Sequence, residues 1–343
     1  MAENEDVLVT VENGVGLITL NRPRVINSLT HAMALTMSQV LTEWEHHHAV
    51  RAVVVSGAGE RGLCAGGDVV AIYHSVRGDG AEARRFWYDE YQLNAKIGRY
   101  RKPYVALMDG IVMGGGVGIS AHGSVRVVTD TTKMAMPEVG IGLIPDVGGT
   151  LILSRAPGLL GLHAALTGAN FDGADAIALG FADHFVPHDK LPAFKDAIVA
   201  DGVDAALNAY AQEPPPSQLL AQRDWIDQCY AGDTPEDIIA TLRSHDAGAA
   251  AADLIASRSP ISVSVALQAI RRAAKLDTLE DVLRQEYRTS CGAARSHDLV
   301  EGIRAQVIDK DRNPKWSPAS LAAVTTADVE AYFAPADREL EFT

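Results

Sequence analysis

Short runs of β-branched residues open the chain and predict strands. Val7 to Val11 and Val15 to Leu20 flank the pair Asn13-Gly14, and an Asn-Gly pair between two such runs predicts a β-hairpin. Apolar runs at residues 51–56 and 104–108 predict buried strands. Two further short strands are predicted at residues 125–129 and 133–136.

Helical spacing of apolar residues separates these strands. Thr30 is a candidate N-cap for a helix that ends near His48, and residues 82–98 predict another helix. Strand, Gly-rich turn and helix therefore recur along the chain. This recurrence predicts an α/β fold with both faces of the sheet covered.

The pattern changes from Gly158 onward, where the strand signal fades and Ala-rich helical spacing dominates. Three consecutive prolines at residues 214–216 cannot continue a helix and predict a linker. Beyond this linker, helices are predicted at residues 219–229, 235–242, 247–258, 261–275, 279–294 and 298–308. We therefore expect a helical C-terminal lobe.

Composition and charge narrow the classes of function. The 343 residues are 47% hydrophobic and 22% charged, so the chain has the composition of a globular protein with a large core. Its net charge of −14 repels phosphate backbones and argues against a nucleic-acid partner. The acidic N-terminus has no apolar stretch of the signal-peptide kind, and no apolar run is long enough to span a membrane. We expect a soluble, cytoplasmic protein.

Cysteine and histidine positions predict no metal site. Cys64, Cys229 and Cys291 are far apart and include no CxxC pair, so neither a disulfide framework nor a zinc site is expected. Residues 46–48 are consecutive histidines that point in different directions on a helix.

Candidate chemistry lies in three Gly-containing segments, Cys64–Asp68, Met113–Gly118 and Met136–Gly149. The first two follow predicted strands and fit neither a P-loop nor a dinucleotide-binding fingerprint. Glycine lets backbone N–H groups approach a carbonyl oxygen closely and stabilise the negative charge that develops on it. Two such turns predict an oxyanion hole with two donors. The alternative is that these glycines only form tight turns.

Four segments in order within residues 7–186 resemble the crotonase (enoyl-CoA hydratase/isomerase) superfamily: NRPRVINSLT, CAGGD, KPYVALMDGIVMGGGVG and MPEVGIGLIPDVGGT. A later segment, EYRTSCGAARSHDLVEGIRAQVIDKDRNPKW, resembles the C-terminus of the 3-hydroxyisobutyryl-CoA hydrolases within it. The resemblance implies a core of repeated ββα units arranged in a spiral, with a helical C-terminal lobe. We expect the core at residues 1–200, a helical insertion or linker at 201–257, and the C-terminal lobe and tail at 258–343.

The resemblance implies roles for individual residues. Gly67 and Gly115 match the family's two oxyanion-hole positions, and Glu138 matches its second catalytic glutamate. Gly118 stands where hydratases carry their first catalytic glutamate. Addition of water to an enoyl-CoA uses both carboxylates, so this glycine argues against hydratase chemistry.

Two further carboxylates match the hydrolase branch. Asp146 stands where hydratases usually carry glycine, and Glu90 matches another hydrolase position. We interpret Glu138 as nucleophile or general base, Asp146 as the group that binds and orients a substrate hydroxyl, and Glu90 as a supporting residue. The alternatives are that Glu138 and Asp146 cap helix starts and that Glu90 faces solvent.

The resemblance also implies a coenzyme A groove. Its expected lining is Arg24, Val25, Cys64, Ala65, Gly66 and Asp68. Arg22 and Arg24 are candidate phosphate partners, although both also fit ordinary surface charge. We interpret Cys64 as a packing residue.

The sequence therefore predicts hydrolysis of 3-hydroxyisobutyryl-CoA, or of a close 3-hydroxyacyl-CoA, as in valine breakdown. The alternatives are an enoyl-CoA hydratase or isomerase and a non-catalytic CoA-binding protein. The expected partners are the acyl-CoA substrate and further copies of this chain in a trimer or hexamer. The resemblance implies no metal or redox cofactor, and coenzyme A enters as part of the substrate.

Overall fold

Nine strands form two sheets within residues 5–342, which the computed structural model describes. They are β1 (Val7–Glu12), β2 (Val15–Leu20), β3 (Ala52–Gly57), β4 (Tyr104–Met108), β5 (Ile111–Met113), β6 (Val125–Val128), β7 (Lys133–Ala135), β8 (Phe171–Asp172) and β9 (His184–Phe185). The larger sheet has the order β1-β2-β3-β4-β6-β9, and the smaller has the order β5-β7-β8. Strand order in the larger sheet therefore follows chain order.

The first two strands form the predicted hairpin. β1 and β2 pair antiparallel, and Asn13 and Gly14 between them have φ values of 46° and 80°. Both values lie in the left-handed region, which Asn and Gly tolerate better than other residues. From β2 to β9 the neighbours of the larger sheet pair parallel, so each crossover carries helices or loops. The predicted α/β class is confirmed.

Helices alternate with the strands along the chain and continue after the last strand. Within residues 5–342 the α-helices are α1 (His31–His46), α2 (Val69–Val76), α3 (Ala81–Gly98), α4 (Gly115–Gly118), α5 (Gly149–Arg155), α6 (Leu160–Thr167), α7 (Gly173–Leu179), α8 (Leu191–Asp201), α9 (Val203–Tyr210), α10 (Arg223–Cys229), α11 (Pro235–Ser244), α12 (Ala249–Ser257), α13 (Pro260–Ala273), α14 (Leu279–Ala293), α15 (His297–Ile303) and α16 (Thr326–Tyr332). None of these helices is long and apolar enough to cross a membrane.

Local sequence signals explain several boundaries. The Thr30 hydroxyl accepts a hydrogen bond from the Met33 N–H at 3.2 Å, which makes it the N-cap that the sequence predicts for α1. The predicted linker at residues 214–216 lies in the coil between α9 and α10. The short strand β5 lies inside the Gly-rich stretch that follows β4, where no strand was predicted.

The chain packs as two units, each made of segments that are separate in sequence. The first contains the chain up to Gly67, Gln92–Met134 and Phe171–Gln218. The second contains Asp68–Tyr91, Ala135–Asn170 and the chain from Leu219 onward. The consecutive ranges expected from the sequence, with boundaries after residues 200 and 257, stay a prediction.

Each unit has its own apolar core. In the first, residues of β2, β3, β4 and β6, such as Leu17, Val54 and Leu107, pack against Phe194 and Ile198 of α8. In the second, Leu151 of α5, Ala273 of α13 and Val282 of α14 form one of the apolar clusters. In this second unit, Glu286 of α14 also accepts hydrogen bonds from Gly148 and Thr150 at the start of α5.

Candidate active site

Two Gly-rich turns lie side by side in the first unit. Cys64 forms a parallel bridge with Val112, and the Leu29 N–H donates to the Gly66 carbonyl at 2.8 Å. A Cβ atom at Gly66 would lie 3.4 Å from the Met113 carbonyl oxygen and 3.8 Å from the Gly115 nitrogen. The structure therefore brings the segment around Gly66 and the start of α4 together.

The amides of Gly67 and Gly115 are available as donors. Gly114, with a φ of 45°, turns the chain from β5 into α4, so the Gly115 N–H lies at a helix start without an intrahelical partner. Neither amide donates a hydrogen bond to another group in residues 5–342. Two unpaired N–H groups in adjacent turns are what an oxyanion hole requires.

The residues expected to line the CoA groove occupy different local settings. Arg24 and Val25 lie exposed in the short 3₁₀ helix Pro23–Val25. The Arg22 guanidinium donates to the Ser28 carbonyl at 2.7 Å. Cys64 is fully buried, and a Cβ atom at Gly116 would lie 2.9 Å from the Cys64 Cβ, which fits a packing residue. Their contact with coenzyme A stays a prediction.

Asp68 has a local structural partner. Its carboxylate accepts from the Ala71 N–H at 3.3 Å and so caps α2, in the second unit.

Three predicted carboxylates are buried in the second unit. Glu90 lies on α3, Glu138 opens the 3₁₀ helix Glu138–Gly140, and Asp146 lies in the loop before α5. Their exposed fractions are only 2%, 4% and 4%, although carboxylates are rarely buried. The alternative that Glu90 faces solvent is therefore wrong.

The alternative that Asp146 caps a helix is also wrong. The helix α5 begins at Gly149 with Gly148 as its N-cap, and Asp146 lies outside the capping position. Its Oδ2 atom instead accepts a hydrogen bond from the Tyr91 hydroxyl at 2.6 Å. The Ser290 Oγ lies 2.8 Å from the same tyrosine oxygen. Because the only hydroxyl hydrogen of Tyr91 is used on Asp146, Ser290 donates to Tyr91.

A fourth buried carboxylate, Glu286 on α14, was missed by the sequence analysis. It is fully buried, and its Oε2 atom accepts from the Gly148 N–H at 2.6 Å. Its Oε1 atom accepts from the N–H and the hydroxyl of Thr150 at 3.0 and 2.6 Å. Glu286 thus satisfies the first amides of α5, which the N-cap glycine cannot do with a side chain.

Burial, together with repulsion between acids, raises the pKa values in the carboxylate cluster, which is formed by Glu90, Glu138, Asp146 and Glu286. Burial raises the pKa of Glu138 and of Glu90 well above the ordinary glutamate value, and the charge of Asp146 raises both further. Burial raises the pKa of Asp146 to about 6, against the opposing effect of the Tyr91 hydrogen bond. Burial raises the pKa of Glu286 to about 8. Interacting carboxyls lose their protons in steps, so charged and protonated acids coexist here near neutral pH.

Two carboxyl oxygens of these acids have no hydrogen-bond partner in the part of the chain that the structure describes. Glu138 Oε2 and Glu90 Oε1 are buried and make no hydrogen bond to any group in residues 5–342. A buried acceptor without a partner costs about 1–3 kcal/mol. Such atoms fit a site in which a hydroxyl or water hydrogen of the bound substrate completes the hydrogen bonding.

The raised pKa of Glu286 makes stability depend on pH. Between the ordinary value of 4.5 and about 8, the native state holds a proton that the unfolded chain has lost. The contribution of Glu286 to the free energy of unfolding is therefore full below pH 4.5 and is lost as the pH rises through about 8. We expect the variant Glu286→Gln to lose less stability than wild type between pH 5 and 8.

Urea unfolding at both pH values measures this difference. The variant Glu280→Gln changes a partly exposed acid on the same helix and is expected to follow the wild type. Equal pH dependence in all three proteins would contradict the prediction.

Sequence comparison identifies relatives along nearly the whole chain. A family model described as enoyl-CoA hydratase/isomerase matches residues 15–333. A Danio rerio protein named 3-hydroxyisobutyryl-CoA hydrolase, mitochondrial, is 39% identical over 345 residues, which cover 97% of this chain and 90% of that protein.

Two solved structures are similar in fold and sequence. One, described as a carnitinyl-CoA dehydratase from Mycobacterium thermoresistibile, is 72% identical with a TM-score of 0.97 and covers 99% of both chains. The other, described as an enoyl-CoA hydratase from Rhodobacter sphaeroides 2.4.1, is 38% identical with a TM-score of 0.93. It matches 98% of this chain and 100% of its own. These structures confirm the predicted fold class, and all three relatives carry names of reactions on CoA thioesters.

Proposed function

Because the chain belongs to the enoyl-CoA hydratase/isomerase family, and is an enzyme of that family, we propose that it hydrolyses 3-hydroxyisobutyryl-CoA, or a close 3-hydroxyacyl-CoA, to the free acid and coenzyme A. The observation that carries this proposal is the buried Asp146 carboxylate, held by Tyr91 within the same cluster as Glu138. A carboxylate there provides an acceptor for a substrate hydroxyl. The Danio rerio relative with the hydrolase name supports the same substrate.

The reaction begins with polarisation of the thioester. We assign the amides of Gly67 and Gly115 to the carbonyl oxygen, where negative charge develops as the carbonyl carbon is attacked. Each such donor contributes about 2.7–4 kcal/mol to lowering the barrier in enzymes that use one. Neither amide donates a hydrogen bond to another group in the described part of the chain, which supports this assignment.

Glu138 supplies the base or the nucleophile. In one route its unpaired Oε2 takes a proton from water and the water oxygen bonds to the carbonyl carbon. The C–S bond then breaks as Glu138 passes that proton to the CoA sulfur. In the other, Oε2 itself bonds to that carbon, the C–S bond breaks and CoA leaves as the thiolate, and water then cleaves the resulting anhydride to the free acid and the Glu138 carboxylate. Both routes use the ionised carboxylate of Glu138. Its raised pKa makes that carboxylate a stronger base and nucleophile, but it also lowers the fraction that is ionised near neutral pH.

Asp146 and Glu90 have supporting roles in the proposal. Asp146, ionised above a pKa of about 6, accepts a hydrogen bond from the substrate's 3-hydroxyl. Glu90, whose Oε1 has no partner in the described chain, assists in binding the substrate or the attacking water. A site built around a hydroxyl discriminates against substrates that lack it, because its acceptor is then left unpaired.

The rival function is addition or removal of water at a carbon–carbon double bond. The names of the two similar structures favour it, and one of them is 72% identical to this chain. Against it, the resemblance places the first hydratase glutamate at Gly118, which lies on α4 and has no side chain to move a proton.

Release of free coenzyme A tests the proposal. We would follow thiol release from 3-hydroxyisobutyryl-CoA beside hydration of crotonyl-CoA and dehydration of carnitinyl-CoA, with one preparation of the wild type. Thiol release without either of the other reactions is expected. Hydration or dehydration without thiol release would exclude the hydrolase function and support the rival function. Inactivity in all three assays would exclude both functions.

We also propose the pathway, the cofactor requirement, the oligomeric state and the compartment of the enzyme. It acts in valine breakdown, without a metal or redox cofactor, as a trimer or hexamer in the cytoplasm.

A further inference from the structure

The loop that carries Asp146 is held from a distant part of the chain. The Glu286 carboxylate receives three hydrogen bonds from Gly148 and Thr150, at 2.6, 3.0 and 2.6 Å. Its two oxygens are both used, and the side chain is fully buried. These contacts begin two residues after Asp146, so Glu286 fixes the backbone directly next to it.

The same loop has a strained backbone. Val147 has a φ of 54°, in the left-handed region that a β-branched residue rarely enters. A residue in such a conformation costs about 1–3 kcal/mol and persists only where surrounding contacts enforce it. The hydrogen bonds that Glu286 accepts from Gly148 and Thr150 are such contacts. Without them, the turn between Asp146 and α5 keeps the hydrogen bond from the Gly149 N–H to the Asp146 carbonyl but loses the three hydrogen bonds to Glu286.

A second contact reaches Asp146 from the same helix face. Ser290 lies four residues after Glu286 on α14, and residues at this spacing lie on one side of a helix. Ser290 holds Tyr91, which in turn donates to Asp146. α14 therefore constrains the backbone of the loop through Glu286 and the Asp146 side chain through Ser290 and Tyr91.

We propose that Glu286 is a positioning residue, which holds the Asp146 carboxylate where it selects substrates that carry a 3-hydroxyl group. This inference rests on the proposed function. Glu286 acts through the loop, because its own oxygens are occupied by Gly148 and Thr150. Its loss should therefore weaken recognition of the hydroxyl more than attack on the thioester.

Two variants of different severity test the proposal. Glu286→Gln keeps one oxygen acceptor but points an amide N–H₂ at a backbone N–H. Thr150→Val removes only the hydroxyl bond to Glu286. The matched control is Glu280→Gln, at a partly exposed position in the first turn of the same helix.

The main readout is the ratio of kcat/KM for 3-hydroxyisobutyryl-CoA to that for isobutyryl-CoA, which lacks the hydroxyl. We expect the ratio to fall about tenfold or more in Glu286→Gln, because a small displacement of a positioned group can reduce rates by that factor. The fall should be smaller in Thr150→Val and absent in Glu280→Gln. An equal loss for both substrates, with an unchanged ratio, would make Glu286 merely structural and overturn the proposal.

A second readout does not depend on activity. Hydrogen exchange in peptides covering residues 143–155 should accelerate in Glu286→Gln relative to the rest of the chain. If wild type does not release coenzyme A, the proposed function fails and the selective role falls with it. If wild type is active but neither the ratio nor the exchange changes in the variant, the proposed function stands and the role of Glu286 is refuted.

Discussion

The variant Glu138→Gln is expected to lower kcat for coenzyme A release about 10³-fold, within the range that a positioned base contributes. The amide keeps the size of the side chain but neither accepts a proton from water nor bonds to the thioester carbon as a carboxylate does. Stability should not fall. Burial raises the pKa of Glu138, so the folded protein resists its ionisation, and a neutral amide removes that resistance.

Single-turnover thiol release and thermal unfolding, measured on the same samples, check both parts of this prediction. Glu43→Gln, at an exposed position of α1, is the control for the substitution itself. We expect the melting temperature of Glu138→Gln to exceed that of wild type more at pH 8 than at pH 5, because the raised pKa costs stability only as the pH rises. Retained turnover would exclude Glu138 as base and nucleophile.

The variant Asp146→Asn is expected to reduce the preference for a 3-hydroxyl group about 10- to 100-fold, the value of a hydrogen bond to a charged acceptor. Asparagine keeps an oxygen for the Tyr91 hydroxyl but loses the negative charge offered to the substrate. The fall should appear in kcat/KM for 3-hydroxyisobutyryl-CoA. The same quantity for isobutyryl-CoA should change little.

Asp146→Gly and Asp253→Asn complete this experiment. The glycine variant removes the carboxyl and leaves the Tyr91 hydroxyl without its acceptor, so its loss should be larger. Asp253 is exposed on α12, and its asparagine variant should retain full preference. An Asp146→Asn enzyme with wild-type preference would show that the hydroxyl is recognised elsewhere.

Local patterns predicted most of the fold because their causes are local. The hairpin follows from the left-handed turn that Asn13 and Gly14 adopt readily, and the start of α1 follows from the Thr30 cap. The strand β5 was missed because three residues between glycines carry no alternation to detect. Its strand character comes from pairing with β7, which no local pattern reveals.

The candidate site was only partly predictable. Glu138 and Asp146 were found through motifs, but the motifs do not say that Asp146 binds Tyr91 rather than a helix start. Glu286 is separated by more than 130 residues from the amides it binds, so only the fold brings them together.

A weaker signal was nevertheless present. On α14, Val282, Leu283, Glu286 and Ser290 share the spacing of one helix face, so Glu286 lies on the apolar side that packs inward. Glu90 has the same relation to Phe86 and Trp87 on α3. An acidic residue that falls within the apolar stripe of a helix is therefore predicted to be buried. The residues directly before and after it in the sequence predict this less well.

The separation of Asp146 and Glu286 along the sequence has a consequence for biosynthesis. Strand order in the larger sheet follows chain order, so each strand leaves the ribosome when its neighbour has already been made. The Asp146 loop is different, because Glu286, which binds the loop, and Ser290, which contacts Tyr91, are translated well over 100 residues later. A nascent chain that stops before α14 would contain every strand of the sheet, yet its substrate-selecting carboxylate would remain without the helix that holds it.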